Sequence, residues 1–177
     1  MTEAGEKYTA TARTLHWVLA LALIMQIGLG LYMADIPKGT PDRAWYFNLH
    51  KSIGLVLAVF ILYRLWWRSR STPPPLPGSV PSWEAQLARL SHWLLYACMV
   101  VMPVSGYIGS NFTKYGVVFF GIKMPPWGWE DKAIYAVFSG IHEYTGSVFI
   151  GIIVIHFLAA LKHWLWDKDR VMQRMLP

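Results

Sequence analysis

Long apolar runs alternate with short polar stretches along the chain, and this pattern predicts helices that cross a membrane. The four runs are Trp17 to Ala34, Ile53 to Trp67, Leu94 to Ile108 and Gly146 to Leu161. A bilayer core takes about 20 mostly apolar residues, or fewer where aromatic and arginine side chains anchor the ends. We therefore predict an all-α membrane protein, a four-transmembrane-helix bundle in a single membrane domain over residues 1–177. The predicted helices cover approximately residues 12–35, 44–68, 84–110 and 133–166.

Composition restricts the class of protein further. Hydrophobic residues make up 55% of the 177 residues, charged residues make up 15%, and ten residues are tryptophan. An ordinary soluble domain does not combine these values. We expect the first helix to be a membrane span and not a signal peptide. Its apolar run exceeds a typical signal-peptide core, and no small-residue cleavage site follows it.

Lysine and arginine residues divide unevenly between the two predicted sides of the membrane. With the N-terminus inside, ten of them lie in inner segments and six in outer segments. Because cytoplasmic segments carry the excess of positive charge, both termini are predicted to be cytoplasmic. The net charge of +6 then reflects topology and lipid headgroup contact. Nucleic-acid binding is a poor explanation of it, and no nucleic-acid partner is expected.

Four of the six histidines share a feature that the other two lack. Each of the four is followed four residues later by alanine or glycine, on the same helix face. The pairs are His16/Ala20, His50/Gly54, His142/Gly146 and His156/Ala160. His92 is followed at that offset by Tyr96, and His163 by Asp167. An ionisable group inside a membrane is costly and indicates function, and the small neighbour leaves a patch on which a flat macrocycle fits.

Helix geometry pairs the four histidines by membrane depth. His142 and His156 are 14 residues apart, which is about 21 Å along a helix and about 40° short of four full turns. They therefore point in similar directions at different depths. His142 lies near the outer side with His50, and His156 lies near the inner side with His16. Bundle cores hold cofactors between facing helices in this way, so we predict an inner haem iron on His16 and His156 and an outer one on His50 and His142.

Two imidazoles keep a haem iron six-coordinate, which suits electron transfer. No Cys-x-x-Cys-His motif is present, so both groups are expected to be non-covalent haem b. A zinc or copper transporter is the alternative, but such a site calls for nearby carboxylates or thiolates. Only Glu143 is adjacent to a candidate ligand at membrane depth. His92 and His163, each followed by tryptophan, are interpreted first as polar residues of an interfacial belt.

The predicted loops differ in composition. Pro73 to Pro75, with Pro77 and Gly78, form a stiff linker between the second and third helices. The longest outer loop, roughly residues 110–132, is rich in aromatic residues, including Trp127 and Trp129. Such a loop either covers a site as a lid or anchors the protein at the membrane surface, and composition favours neither.

These features resemble the bacterial cytochrome b561 family. The resemblance rests on His16-Trp17, on His50, and on Ile141-His142-Glu143 followed by His156. The segments at residues 119–126 and 167–177 are similar to the outer-loop and C-terminal motifs of that family. The likeness covers nearly the whole chain. It implies an inner-membrane di-haem b cytochrome that exchanges electrons with a quinone.

The resemblance leaves two classes of function open. Some family members oxidise superoxide at the outer face and reduce ubiquinone. Others resemble the cytochrome subunit of nickel-iron hydrogenases, so an anchor and electron relay for a partner dehydrogenase is the alternative. The compact length favours a self-contained oxidoreductase. A positive outer surface would attract an anionic donor and raise its on-rate by about 10–10³-fold. Its lysines would be Lys51, Lys114, Lys123 and Lys132.

Further residues are candidates for holding the cofactors. Haem propionates are best stabilised by charge-assisted hydrogen bonds. The expected donors are Arg13, Arg64 and Arg68 for the inner haem, and Arg43 and Lys51 for the outer haem. A quinone needs a proton donor, and His163, met by His92, is predicted near the inner haem. The competing quinone site is outer, between Trp127 and Trp129.

Overall fold

Four long helices and one short hairpin make up the computed structural model, which describes residues 7–176. The predicted domain also includes residues 1–6 and Pro177, which lie outside the described residues. The helices are α1 (Ala10–Asp35), α2 (Pro41–Arg70), α3 (Ser82–Asn111) and α4 (Lys132–Lys162). Each is long and apolar enough to cross a membrane, and the fourth candidate span continues to Asp167.

The helix ends lie a few residues from the predicted ones, for local reasons. α1 begins earlier because the hydroxyl of Thr9 accepts a hydrogen bond from the backbone N–H of Ala12 at 3.2 Å. α2 begins at Pro41, since proline at the first helical position loses no hydrogen bond. α4 ends earlier, at Lys162, and a π-helical turn (His163–Asp167) continues it.

A two-stranded hairpin is the departure from an all-helical architecture within residues 7–176. β1 (Val118–Phe119) pairs antiparallel with β2 (Ile122–Lys123). The two turn residues, Phe120 and Gly121, have φ angles of 44° and 90°, as a tight hairpin turn requires. Phe120 adopts this unusual conformation while its backbone N–H donates to the hydroxyl of Ser52 on α2, at 2.9 Å.

The helices form two antiparallel pairs. Extensive helix packing within the described residues is confined to α1 with α2, α3 with α4, and α2 with α3. The backbone N–H of Tyr8 donates to the carbonyl of Arg174 at 3.2 Å, so both ends of the described chain meet. We call this side of the bundle the terminal end, and the side that carries the hairpin the loop end.

The buried core is small and the apolar surface is large. Core residues come from all four helices, and they are Leu19, Leu57, Ile61, Cys98, Met99 and Phe149. Many large apolar side chains are exposed instead, as a lipid-facing surface requires. α1 and α4 are separated by an apolar groove of about 160 Å³ lined mainly by isoleucines, among them Ile27 and Ile153. The two helix pairs therefore flank a cleft.

Candidate functional site

Two pairs of imidazoles face each other across this cleft. The ring centroids of His16 on α1 and His156 on α4 are 6.3 Å apart. Those of His50 on α2 and His142 on α4 are 6.2 Å apart. Each pair thus joins one helix of the α1–α2 pair to α4, and the partners are those that depth matching predicts. Iron ligation by these residues stays a prediction.

The hydrogen bonds of His142 favour one tautomer. Its Nδ1 lies 2.9 Å from the backbone carbonyl oxygen of Met102 on α3. A carbonyl only accepts, so Nδ1 must donate, and the lone pair of Nε2 is free. The hydroxyl of Ser105 lies 3.3 Å from the same nitrogen. Outer-shell contacts of this kind fix the orientation of a ligating imidazole.

Glycines on neighbouring helices let two imidazoles pack against backbone. A Cβ at Gly30 would lie 3.1 Å from Cε1 of His50, and one at Gly106 would lie 3.1 Å from the His142 ring. The glycines predicted from the sequence to leave room beside these histidines are Gly54 and Gly146 instead. In the structure the amide of Gln26 covers Gly54 and the side chain of Met102 covers Gly146. Contact of these two glycines with a porphyrin stays a prediction.

The environment of His16 differs from that of His142. Nη2 of Arg64 lies 3.1 Å from Nδ1 of His16, and Nη1 donates to the carbonyl of Ala12 at 3.3 Å. A guanidinium only donates, so in this arrangement Nδ1 of His16 accepts and Nε2 carries the proton.

A third imidazole belongs to the cluster at the terminal end. The ring centroid of His92 lies 5.3 Å from that of His156, so His92 faces the interior of the bundle and not an interfacial belt. The helical period of α3 in the sequence already indicates this interior position. His92, Leu95, Tyr96 and Met99 follow an i, i+3, i+4, i+7 spacing, and Met99 is a core residue.

His163 lies in a polar cluster formed with carboxylates. Its Nδ1 is 2.5 Å from Asp169 and 3.3 Å from Asp167, and its Nε2 is 3.7 Å from Glu84. Lys162 bridges Glu84 and Asp167 at 2.9 and 2.6 Å. A cavity of about 290 Å³ opens beside this cluster. His92 and His163, predicted to meet beside a quinone, therefore have different partners. His92 contacts His156, and His163 contacts carboxylates.

Besides Arg64, three basic residues predicted to hold propionates bond to the protein backbone. Arg13 donates to the carbonyl of Leu176 at 2.7 Å, and Lys51 donates to that of Gly116 at 2.9 Å. Arg43 donates to the carbonyl of Ile36. Arg13 thus holds the C-terminal segment on α1, and Lys51 holds the outer loop on α2.

The outer-loop tryptophans pack around one phenylalanine. Phe112 lies edge-on to Trp127 and to Trp129, with ring centroids 5.5 and 5.4 Å away. Both indoles are more than half exposed. Phe112 thus contacts both rings, and the sandwich of a quinone between them stays a prediction.

Sequence comparisons settle the family of the chain. The profile of prokaryotic cytochrome b561 matches residues 7–177. The chain belongs to the prokaryotic cytochrome b561 family. It is 32% identical to cytochrome b561 homolog 2 of Escherichia coli (strain K12), covering 99% of this chain and 94% of that protein. It is 25% identical to cytochrome b561 homolog 1 of the same organism, over 97% of both chains. A third relative, named probable superoxide oxidase CybB, from Yersinia pestis, is 23% identical over 97% of both chains.

Family membership defines the general activity and the cofactor class. Cytochrome b561 proteins bind b-type haem and carry electrons in the membrane, so this chain is a haem-containing oxidoreductase of electron transport. Its four long apolar helices make it a multi-pass inner-membrane protein. The resemblance inferred from the motifs and the predicted location are both confirmed.

The imidazole pairs fit b-type haem by distance and by chemistry. A metal–imidazole bond is about 2.0–2.1 Å long, so imidazoles on opposite sides of one metal have ring centroids about 6 Å apart. The measured separations of 6.3 and 6.2 Å agree with that span. The apolar groove between α1 and α4 provides a low-polarity wall of the kind that controls haem potential.

Proposed function

We propose that this cytochrome b561 protein binds two haem b groups and passes electrons from a one-electron donor such as superoxide, at the outer face, to ubiquinone. The observation that carries the proposal is the pair of facing imidazoles at each end of the bundle. A bis-imidazole haem supplies one-electron transfer without an open coordination position. In this proposal His16 and His156 hold the inner group, and His50 and His142 hold the outer one.

The inner group requires Arg64 to move. Iron binding through Nε2 of His16 leaves the proton on Nδ1. A protonated Nδ1 cannot accept the hydrogen bond that Arg64 donates to it. A released guanidinium is suited to a haem propionate. Arg13 and Arg68 remain further propionate candidates for the inner haem, as Arg43 and Lys51 do for the outer haem.

The proposed orientation has both termini in the cytoplasm. It rests on the ten-to-six division of lysine and arginine between the two sides, and on the meeting of both chain ends at the terminal end. The loop end would then face the periplasm. Three exposed lysines of the outer loop and of the start of α4 would attract an anion there, and they are Lys114, Lys123 and Lys132.

The proposed reaction balances in electrons and protons. Two superoxide ions each lose one electron and leave as dioxygen, while ubiquinone takes up two electrons and two protons to become ubiquinol. The relative named probable superoxide oxidase supports superoxide as the donor. The second candidate function is electron relay for a partner dehydrogenase or hydrogenase. The exposed apolar tip of the outer loop, with Tyr115 and Ile122 each 69% exposed, favours a docking role.

Stopped-flow spectroscopy of the purified protein tests the proposal. Superoxide should reduce the haem within the mixing experiment, and added ubiquinone should reoxidise it. Raising the ionic strength should slow the reduction step, because charge steering of an anion is screened by salt. A haem that superoxide does not reduce, but that a partner dehydrogenase does reduce, would favour the relay function.

Pyridine haemochrome analysis of ligand variants is the companion measurement. The wild-type chain should hold two haems, and His50→Ala or His142→Ala should hold one. His16→Ala and His156→Ala should lose the other haem. A wild-type value near one haem, unchanged in His50→Ala and His142→Ala, would remove the outer site from the proposal.

A further inference from the structure

Gln26 is a strongly polar residue in the middle of the apolar span of α1, and neither haem ligation nor packing accounts for it. Polar side chains inside a membrane are expensive and usually bond across a helix interface. The side-chain amide of Gln26 crosses to α2, where Nε2 donates to the backbone carbonyl of His50 at 2.8 Å. It therefore contacts the turn that carries a proposed haem ligand.

Two further contacts concentrate on the same turn. Nε2 of Gln26 lies 3.3 Å from the position of a Cβ at Gly54, so the glycine makes room for the amide. Gly30, one turn after Gln26 on α1, supports the edge of the His50 ring. Within residues 7–176, Nδ1 of His50 and Oε1 of Gln26 are buried without a hydrogen-bond partner.

His50 and His142 are therefore supported differently. His142 has a carbonyl partner at 2.9 Å on its Nδ1, whereas the ring of His50 depends on how its backbone is held against α1. We propose that Gln26 is a positioning residue for His50, and that its amide holds this turn of α2 so that the imidazole stays packed on Gly30, with Nε2 available to the outer haem iron. This inference rests on the proposed ligation by His50.

The role has a spectroscopic consequence. The orientation of a ligating imidazole tunes the metal that it holds. Loss of the Gln26 amide should therefore change the orientation of the axial imidazole and shift the potential of the outer haem. A residue that only packed helices together would lower stability without moving one haem's potential.

Redox titration and electron paramagnetic resonance of the full-length protein test the inference. Gln26→Met keeps the side-chain volume and removes the donor. It should shift the outer-haem potential and the outer low-spin signal, and leave the inner haem unchanged. Gly54→Ala, which displaces the amide without altering Gln26, should shift both in the same direction by less. Gln86→Met makes the same exchange at an exposed position and should match the wild type.

The outcomes separate this inference from the proposed function. His50→Ala identifies the outer haem as the one that is lost. If that variant keeps both haems, the ligation proposal is wrong. If it loses one haem while Gln26→Met keeps wild-type potentials and signals, the positioning role is wrong. If Gln26→Met does not yield stable protein, Gly54→Ala is the deciding variant. Wild-type potentials and signals in Gly54→Ala would then show that the positioning role is wrong.

Discussion

Small differences around each imidazole distinguish two proposed haem sites built on the same ligand type. His142 has a carbonyl partner, His50 lies on a glycine, and His16 meets a guanidinium. Because hydrogen bonds to a ligating imidazole and charges beside it tune the metal, the inner and outer sites would have different potentials.

Lys51 follows the proposed ligand His50 in the sequence and places a positive charge near the outer site. Its Nζ also donates a hydrogen bond to the carbonyl of Gly116 in the outer loop. Lys51→Gln removes a positive charge. Because this removal stabilises the oxidised haem relative to the reduced haem, the outer-haem potential should fall by tens of millivolts. Redox titration measures this, with the exposed loop variant Lys38→Gln as the control. An outer potential equal to that of the wild type would show that Lys51 acts only as a tether.

At this scale the sequence could predict which histidines pair, since helix spacing and depth determine that. It could not predict that His92 is a third imidazole beside His156. The criterion of a small residue four positions later excluded His92, because Tyr96 occupies that position. The partner of a polar side chain depends on a neighbouring helix, as with Gln26 and His50. No single-helix pattern contains that information.

The C-terminal part of the chain shows how elements assemble the terminal end of the bundle. α4 gives way to a π-helical turn at His163, and Lys168 and Arg170 then adopt positive φ angles of 52° and 68°. The chain thereby turns back, and Trp17 donates to the carbonyl of Met175 at 2.8 Å. π-turns often mark functional positions. Here the turn brings His163 against Glu84 of α3.

His163 in this turn is the candidate proton donor for a quinone near the proposed inner haem. His163→Ala should slow haem reoxidation by ubiquinone by about 10²-fold, the usual contribution of a general acid, while both haem spectra stay intact. Stopped-flow reoxidation of the pre-reduced protein measures the step. Trp127→Leu and Trp129→Leu test the outer alternative. A defect in those two variants with normal reoxidation in His163→Ala would relocate the quinone to the loop end.

Elements were predictable where one physical rule dominates. Four apolar runs sufficed for four helices, because a bilayer demands that length. The hairpin at residues 118–123 was not predicted because the first position of its turn is Phe120, where asparagine, aspartate or glycine is usual. The hairpin is hydrogen-bonded to Ser52, which is 1% exposed and lies far away in the sequence, on α2. Such long-range support leaves no local pattern in the sequence.

On the scale of the whole molecule, two helix pairs share few contacts apart from those between α2 and α3. Both imidazole pairs cross the cleft between them. Each bound haem would therefore tie the α1–α2 pair to α4. The cofactor then contributes to stability as well as to redox chemistry, because a ligand that binds only the folded state stabilises it.

Haem depletion should consequently weaken the bundle. Ligand at 100 times its dissociation constant stabilises a protein by about 2.7 kcal/mol, so loss of a haem should lower the melting temperature by about 5–10 °C for a chain of this size. Thermal unfolding of replete and haem-depleted protein in the same detergent measures the difference, and readdition of haem should restore it. His50→Ala, which removes one bridge, should fall between the two. Identical melting temperatures for replete and depleted protein would mean that α2–α3 packing alone holds the two helix pairs together.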